Sequence, residues 1–226
     1  MQYRTLAAAA IFLSWGAACF AAEELKASQG DEWKVASING GVTIYSRPHP
    51  GNALKEFKAI GQIDAPSHAV KNVIGDFESY TSFMPYMAEC RLLKRESESY
   101  LTYQRISPKI CGDRDYSLRV HETSTPAEGG LVYSNKWEAA NESGPPEKKG
   151  VLRVKVCEGS WLLEPDGAEK TRATYVIYSD TAGLVPAFIA NHFAQVAVVK
   201  VFAAVRKQAK EPKYSMSEPV VGSANK

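Results

Sequence analysis

The chain lacks any large excess of charge: 27 lysines and arginines stand against 25 aspartates and glutamates, a formal net charge of +2. No lysine–arginine stripe alternates with aromatic residues, so the electrostatic footprint of a phosphate-backbone binder is missing and nucleic acid is not expected as a partner. Histidine is scarce, with four in 226 residues. His49, His68, His121 and His192 sit far apart and form no His-Glu-x-x-His or other close pair, which leaves no metal site to assign. The four cysteines include no Cys-x-x-Cys spacing, which weakens zinc and thioredoxin-like readings. A Gly-x-Ser-x-Gly nucleophile elbow and a Gly-x-x-x-x-Gly-Lys phosphate loop are absent too. No catalytic residue and no cofactor follow from motifs, although dispersed residues could still assemble a site.

What is present begins at the N-terminus. Arg4 precedes an apolar run from Leu6 to Leu13, and small residues from Gly16 to Ala22 follow, broken by Cys19 and Phe20. That order reads as a secretory signal peptide over residues 1–21, cleaved after Ala21. The run is too short to span a bilayer, which takes roughly 20 apolar residues, so an uncleaved anchor is the weaker reading. A lipoprotein modified at Cys19 is weaker as well, because Gly16 stands where Leu is normally required. Residues 22–31 read as a linker and residues 32–209 as one domain. Beyond Lys210, Pro, Ser, Gly and Lys recur without periodicity, so residues 210–226 are expected to be disordered. Removing the signal removes Arg4 and no acid, taking the net charge from +2 to +1. No later charge-free run is long enough to span a membrane, so a periplasmic or secreted soluble protein is expected.

The body alternates like an antiparallel sheet. Strands are predicted over Trp33–Ile38, Val42–Arg47 and Lys55–Ile63, separated by Asn39-Gly40-Gly41 and Pro48-His49-Pro50-Gly51. Pro66-Ser67 opens a helix carrying Ala69, Val70, Val73 and Ile74 on one face, and Phe77–Met87 reads as a second short helical piece broken at Pro85. Further strands are predicted over Arg91–Arg95, Tyr100–Ile106, Asp113–Glu122, Leu131–Ala139, Val151–Leu163 and Lys170–Ser179. The last element, from Pro186 to about Lys207, is a long helix apolar nearly all round, hence buried or facing a second apolar surface. The fold class is therefore α+β: a long curved antiparallel sheet of about nine strands gripping a long C-terminal helix, with room for an apolar cavity.

Period two puts Arg114, Tyr116, Leu118 and Val120 on the inward face of their strand. Tyr133 and Trp137 share a face, as do Tyr175 and Ile177. On the helix, Phe188, His192 and Val196 are spaced to face one way. As a group these residues are read as a cavity wall, although each alone is more often plain core. A buried guanidinium needs a partner, so Arg114 either closes a salt bridge at the sheet end or meets a polar group of a ligand. The loop Ser107–Asp113 and the segment Thr181–Val185 are placed together at a cavity mouth. Cys90, Cys111 and Cys157 either stay as thiols or form one disulfide. Cys90–Cys111 is the first choice, since both lie at the same end of the sheet.

Several stretches look familiar in order and spacing. Trp33…Gly41-Val42-x-Ile44-Tyr45-x-Arg47…Lys55-x-Phe57-Lys58 resembles the start of START domains. So do Pro108-x-x-Cys111-Gly112-Asp113-Arg114-Asp115-Tyr116, Gly150-Val151-x-Arg153, Gly159-Ser160-Trp161-x-Leu163-x-Pro165 and Gly183-Leu184-Val185-Pro186. The resemblance covers Trp33 to Lys207. It implies a helix-grip fold of the SRPBCC superfamily with a lipid-sized tunnel roofed by the C-terminal helix, noncovalent lipid binding, and an arginine at Arg114 within the cavity. Asp76-Phe77-Glu78-Ser79-Tyr80-Thr81-Ser82-Phe83-Met84-Pro85 also resembles the coenzyme-Q-binding and polyketide-cyclase branch. The expected function is lipid binding, with possible transfer, by a monomer making transient membrane contact. The alternatives are a cyclase or aromatase on the same fold, or a coenzyme-Q-binding protein. Export weighs against the enzyme, because polyketide carriers work in the cytoplasm.

Overall fold

The computed structural model describes residues 32–97, 99–108, 112–180 and 185–215. The expected signal peptide and linker lie outside them, as do Cys111, residues 181–184 of the expected mouth and the tail from 216 onward.

Three strands open the fold as a meander: β1 (Lys34–Asn39), β2 (Val42–His49) and β3 (Asn52–Ile63). Their turns fall at the glycine clusters, where Gly40, Gly41 and Gly51 adopt the positive φ that other residues avoid. After β3, helix α1 (Ser67–Gly75) buries Ala69, Val70, Val73 and Ile74, the face its spacing foretells. A 3₁₀ turn (Phe77–Ser79) and the short α2 (Tyr80–Phe83) follow. The chain then lays down β4 (Met87–Arg95), β5 (Ser99–Ile106), β6 (Arg114–Ala127) and β7 (Gly130–Ala139). β8 (Leu152–Arg153), β9 (Cys157–Pro165) and β10 (Thr171–Ser179) complete the strands. Helix α3 (Ala187–Gln208) and a last turn of helix, α4 (Pro212–Ser215), end the described chain.

The strands form one sheet in the order β1-β2-β3-β10-β9-β7-β6-β5-β4, all antiparallel along that path, with β8 beside β6 in parallel. Insertion of β10 and β9 next to β3 closes the long-range topology: Thr171 to Ile177 pair with Ile63 to Phe57. The path of nine strands agrees with the expected long sheet. A sheet of this length twists and curls, and its concave face carries the core. Val42, Ile44, Phe57, Ala59 and Ile63 pack there with Trp161, Leu163 and the α3 residues Val198, Phe202 and Val205.

Four expectations need correction. The strand predicted over Val151–Leu163 is two pieces. Leu152 N–H donates to the Asp113 carbonyl and Val154 N–H to that of Asp115, which fastens the first piece to β6. The segment before it folds over the convex side of β6, where Asn141 accepts from the Ser117 N–H and donates to the Val154 carbonyl. The tail is not irregular from 210: α4 docks on α1, Tyr214 is buried, and its hydroxyl donates to Asp76 at 2.9 Å. Burial alone would raise the Asp76 carboxyl, but hydrogen bonds from Lys213, Ser79 and Tyr214 hold it below the usual range. By length and composition α3 does suffice to cross a bilayer, with a mean hydropathy of 1.6, although one stripe of it is buried on the sheet.

The fourth correction is the rotation of α3. Phe188, His192 and Val196 share a face as their spacing requires, but that face points outward, and Phe188 is 75% exposed. The buried stripe is Ala190, Val198, Phe202 and Val205. A helix apolar on every side has no polar face to orient it, so its few polar residues decide. Arg206 donates to the carbonyls of Gly40, Gly41 and Gln62, Asn191 bonds the backbone of Ala53 and Lys55, and Gln195 accepts from Ser37. At Gly61 an added Cβ would stand 3.0 Å from the Phe202 ring, so the glycine lets helix and sheet approach closely.

The convex side of β6 holds a fully buried carboxylate. Asp115 is 0% exposed, takes a two-pronged contact from Arg153 at 2.7 and 3.2 Å, and accepts from the Tyr103 hydroxyl at 3.0 Å. Replacing Arg153 by Met strands that charge in the interior and is expected to destabilise the protein by about 3–5 kcal/mol in denaturant unfolding. The double replacement Asp115→Asn with Arg153→Met is expected to recover part of the loss. A change below about 1 kcal/mol for the single variant contradicts a buried, dependent pair.

Candidate functional site

The site is the part of the concave face that α3 leaves uncovered. α3 lies over β2 and β3, and α1 lies against β7 and β9. Over β5 and β6 the cover is the segment from Phe77 to Met87. Its conformation is set locally: the Asp76 carboxylate accepts from the Ser79 N–H at 3.2 Å, starting the 3₁₀ turn. The Tyr80 hydroxyl donates to the Ile74 carbonyl at 2.5 Å, folding the segment back onto α1. Phe77, Tyr80 and Phe83 stack edge to face, with centroids 5.5 and 5.6 Å apart.

Between this segment and the sheet lies a cavity of about 160 Å³. Phe77, Tyr80, Met84, Pro85 and Met87 form its cover. Leu118, Val120, Trp137, Trp161, Tyr175 and Ile177 form the floor, and α3 contributes Val201. The indole of Trp137 lies across Gly159, where a Cβ would come within 2.5 Å of the ring and 2.2 Å of the Val176 carbonyl. Gly159 therefore permits the aromatic floor that Trp137, Tyr175 and Trp161 share, with centroids 5.7 and 4.5 Å apart. Among the described residues the polar lining is Tyr80, Gln104, Tyr116, Asn135, Tyr175 and Cys157, with no acid, lysine, arginine or histidine. Burial pushes the hydroxyls of Tyr80, Tyr116 and Tyr175 upward, so all three stay protonated through the physiological range.

At one end the cavity meets a junction of three elements. Tyr86 sits there at φ 62°, a left-handed conformation that costs a bulky residue of order 1–3 kcal/mol. It is held from two sides: Ser107 N–H donates to its carbonyl, and Lys200 of α3 donates to its hydroxyl at 2.8 Å. Phe193 of α3 packs on its ring at 5.0 Å. Tyr86 thus links the helix, the cover segment and the loop after β5.

Of the expected wall residues, Tyr116, Leu118, Trp137, Tyr175 and Ile177 line the cavity. Tyr133 points to the same side but packs against the main core. Phe188, His192 and Val196 lie on the outer face of α3 and are not part of the wall. Arg114 is buried, donates to the Gly112 carbonyl at 2.9 Å and stays outside the lining, so its charge is engaged within the chain. Cys90 is a buried free thiol packed with Phe77 and Tyr80, the alternative to a bond, and Cys111 lies outside the described residues. Sequence reasoning missed the cover segment, Gln104 and Asn135. For Asn135 a signal existed: it is the polar interruption in an inward series with Tyr133 and Trp137.

Among the described residues no group of three histidines, cysteines or acids stands close enough to hold a metal. What the arrangement can do is exclude water from an apolar molecule and offer it neutral hydrogen-bonding groups.

A long helix gripped by a curved antiparallel sheet, with an apolar cavity beside it, defines a class, and sequence comparison agrees. The chain belongs to the polyketide cyclase / dehydrase and lipid transport family, whose sequence model matches residues 63–206. An uncharacterized protein of Pseudomonas aeruginosa is 29% identical over 182 residues, covering 80% of this chain and 88% of that one. The phosphatidylcholine transfer protein of Mus musculus is 25% identical over 195 residues, covering 81% and 90%. A solved STAR-related lipid transfer protein fragment from Xanthomonas axonopodis superposes with a TM-score of 0.70 at 26% identity, over 80% of this chain and 100% of that one.

The two described cysteines yield a pH prediction. Burial pushes Cys90 and Cys157 from an ordinary 9.0 up to about 12. Folded thiols keep their protons where unfolded ones lose them, so their contribution to stability is whole below about pH 9 and falls as pH rises toward 12. At pH 8 iodoacetamide is expected to spare both in the folded protein and to label both in denaturant; rapid labelling without denaturant contradicts the burial.

Proposed function

We propose that this protein binds a lipid or similar apolar molecule noncovalently in the cavity between the cover segment, α3 and the sheet, and carries it between membranes without chemical change. The observation that carries the reading is an apolar cavity with no charged side chain among the described residues of its lining. The relatives named as transfer proteins for phosphatidylcholine and for lipids support the same class of cargo. An enzyme on this fold needs a group that moves a proton near neutral pH. The titratable groups of the lining are tyrosines and Cys157, and burial pushes Tyr116, Tyr175 and Cys157 away from that range.

At about 160 Å³ the cavity is smaller than the roughly 300–1,000 Å³ usual for ligand pockets, so loading requires the cover to move outward. Tyr86, joined to α3 through Lys200 and Phe193, is the link that has to give. The protein works as a monomer in the compartment reached by export, the reading supported by the Arg4–Ala21 segment. It touches membranes through the outer face of α3, where Phe188, Ile189 and Val196 are exposed. Phe188→Glu is expected to slow lipid transfer between vesicles several-fold while leaving the amount bound at equilibrium unchanged. An unchanged rate removes this face from the membrane contact.

Mass spectrometry of the protein purified without detergent tests the main reading. A co-purifying lipid in stoichiometric amount is expected. Absence of any lipid, together with no uptake of labelled lipid, contradicts it.

A further inference from the structure

The polar groups of the lining carry more than the cavity's apolar character. Asn135 is 7% exposed, and among the described residues its side-chain amide makes no hydrogen bond. Gln104 is equally buried at 7%, and among the described residues its side chain has only a 3.5 Å approach to the Thr102 hydroxyl, at the limit of a hydrogen bond. Neither amide is sealed in protein, since the one fully enclosed unpaired side-chain atom among the described residues is Ser117 Oγ. Both therefore open onto the cavity they line. A buried amide without a partner is destabilising, and natural cores avoid it unless something supplies the missing bond.

The two amides stand at different levels along the strands. Gln104 pairs across the sheet with Tyr116, beside the half-buried Pro85, Met87 and Ile106. Asn135 pairs with Glu122 and Trp161, beside the buried Ile74. From the level of Tyr116 to that of Glu122 is roughly 20 Å along β6 at the rise of an antiparallel strand. In an otherwise apolar space, Asn135 offers two N–H donors and a carbonyl acceptor at one end, and Gln104 offers the same toward the other. Among the described residues none of the lining is charged: Arg114 is drawn back to Gly112, Asp115 is closed by Arg153 on the far side of the sheet, and Glu122, the cross-strand neighbour of Asn135, is held by Lys71 at 3.4 Å. A charge brought into this space would lose its hydration with no counter-charge in return.

We propose that the buried part of the ligand is uncharged and bears a hydroxyl or carbonyl oxygen bound by Asn135, with Gln104 as a second station. The class is a neutral lipid, such as a long-chain alcohol or a sterol, held in preference to a lipid whose phosphate must enter the cavity. This rests on the lipid-binding reading above and narrows it. It also makes Asn135 a residue kept for binding at the expense of stability: Asn135→Leu removes an unpaired amide at similar volume and should leave the empty protein as stable as before, or more so.

Three probes of one chain length separate the possibilities: 1-decanol, decane and decyl phosphate, titrated into the full chain and read through the emission of Trp137 and Trp161 in the lining. Decanol is expected to bind about tenfold tighter than either of the others, the worth of one buried neutral hydrogen bond. In Asn135→Leu the preference of decanol over decane is expected to fall to about twofold, with decane affinity and thermal midpoint held or raised, whereas a merely structural Asn135 lowers the midpoint and leaves the preference alone. Gln104→Leu, as an independent variant, is expected to lower the preference by a smaller factor. Decyl phosphate binding as tightly as decanol, or a preference that survives in both variants, overturns the inference while lipid binding stands. Binding of none of the three overturns both.

Discussion

A nine-stranded concave face is wider than one helix can cover, and the remaining features follow from that mismatch. α3 seals the end over β2 and β3, where Gly61 allows Phe202 to sit close and Arg206 caps the β1–β2 turn. α1 seals the middle. The rest is roofed by a short irregular segment whose shape depends on two local hydrogen bonds, from Ser79 to Asp76 and from Tyr80 to Ile74. An irregular roof cannot interdigitate with a concave array of strands as a helix does, and the gap under it is the cavity.

Charge is sorted to keep that gap neutral. The convex side of β6 carries Asp115, Arg153 and Tyr103 in a closed set, and Arg114 at the inward start of the same strand turns to the Gly112 carbonyl. The inward face beyond Arg114 is apolar through Val120 and meets charge again only at Glu122, which pairs with Lys71 of α1 at 3.4 Å. Between those two points the polar groups are amides, hydroxyls and one thiol. This is the environment in which a neutral oxygen gains most and a phosphate loses most.

Much of the fold was legible in the alternation of the strands and in the glycine and proline turns, because a half-buried antiparallel sheet writes its two faces into the sequence. The wall residues on β6, β7 and β10 were legible for the same reason. The face of α3 was not: with apolar residues all round, its rotation rests on Arg206, Asn191 and Gln195 reaching backbone carbonyls and neighbours distant in sequence. The break between β8 and β9 was hidden because Val151–Leu163 is apolar enough to read as one strand, and only pairing with β6 divides it. The docking of Tyr214 on Asp76 joins elements at opposite ends of the domain, a contact no local pattern announces. Asn135 was visible as a polar residue in an apolar series, yet it acquires meaning only once the amide is seen to lack a partner.

The central claim is that the space under the Phe77–Met87 segment holds the ligand. Photo-crosslinking with a long-chain alcohol carrying a mid-chain diazirine tests it directly. The account predicts adducts on Tyr116, Trp137, Tyr175 and Ile177 from the floor and on Tyr80 or Met84 from the cover. Adducts confined to the outer face of α3, at Phe188, Ile189 and Val196, would contradict it.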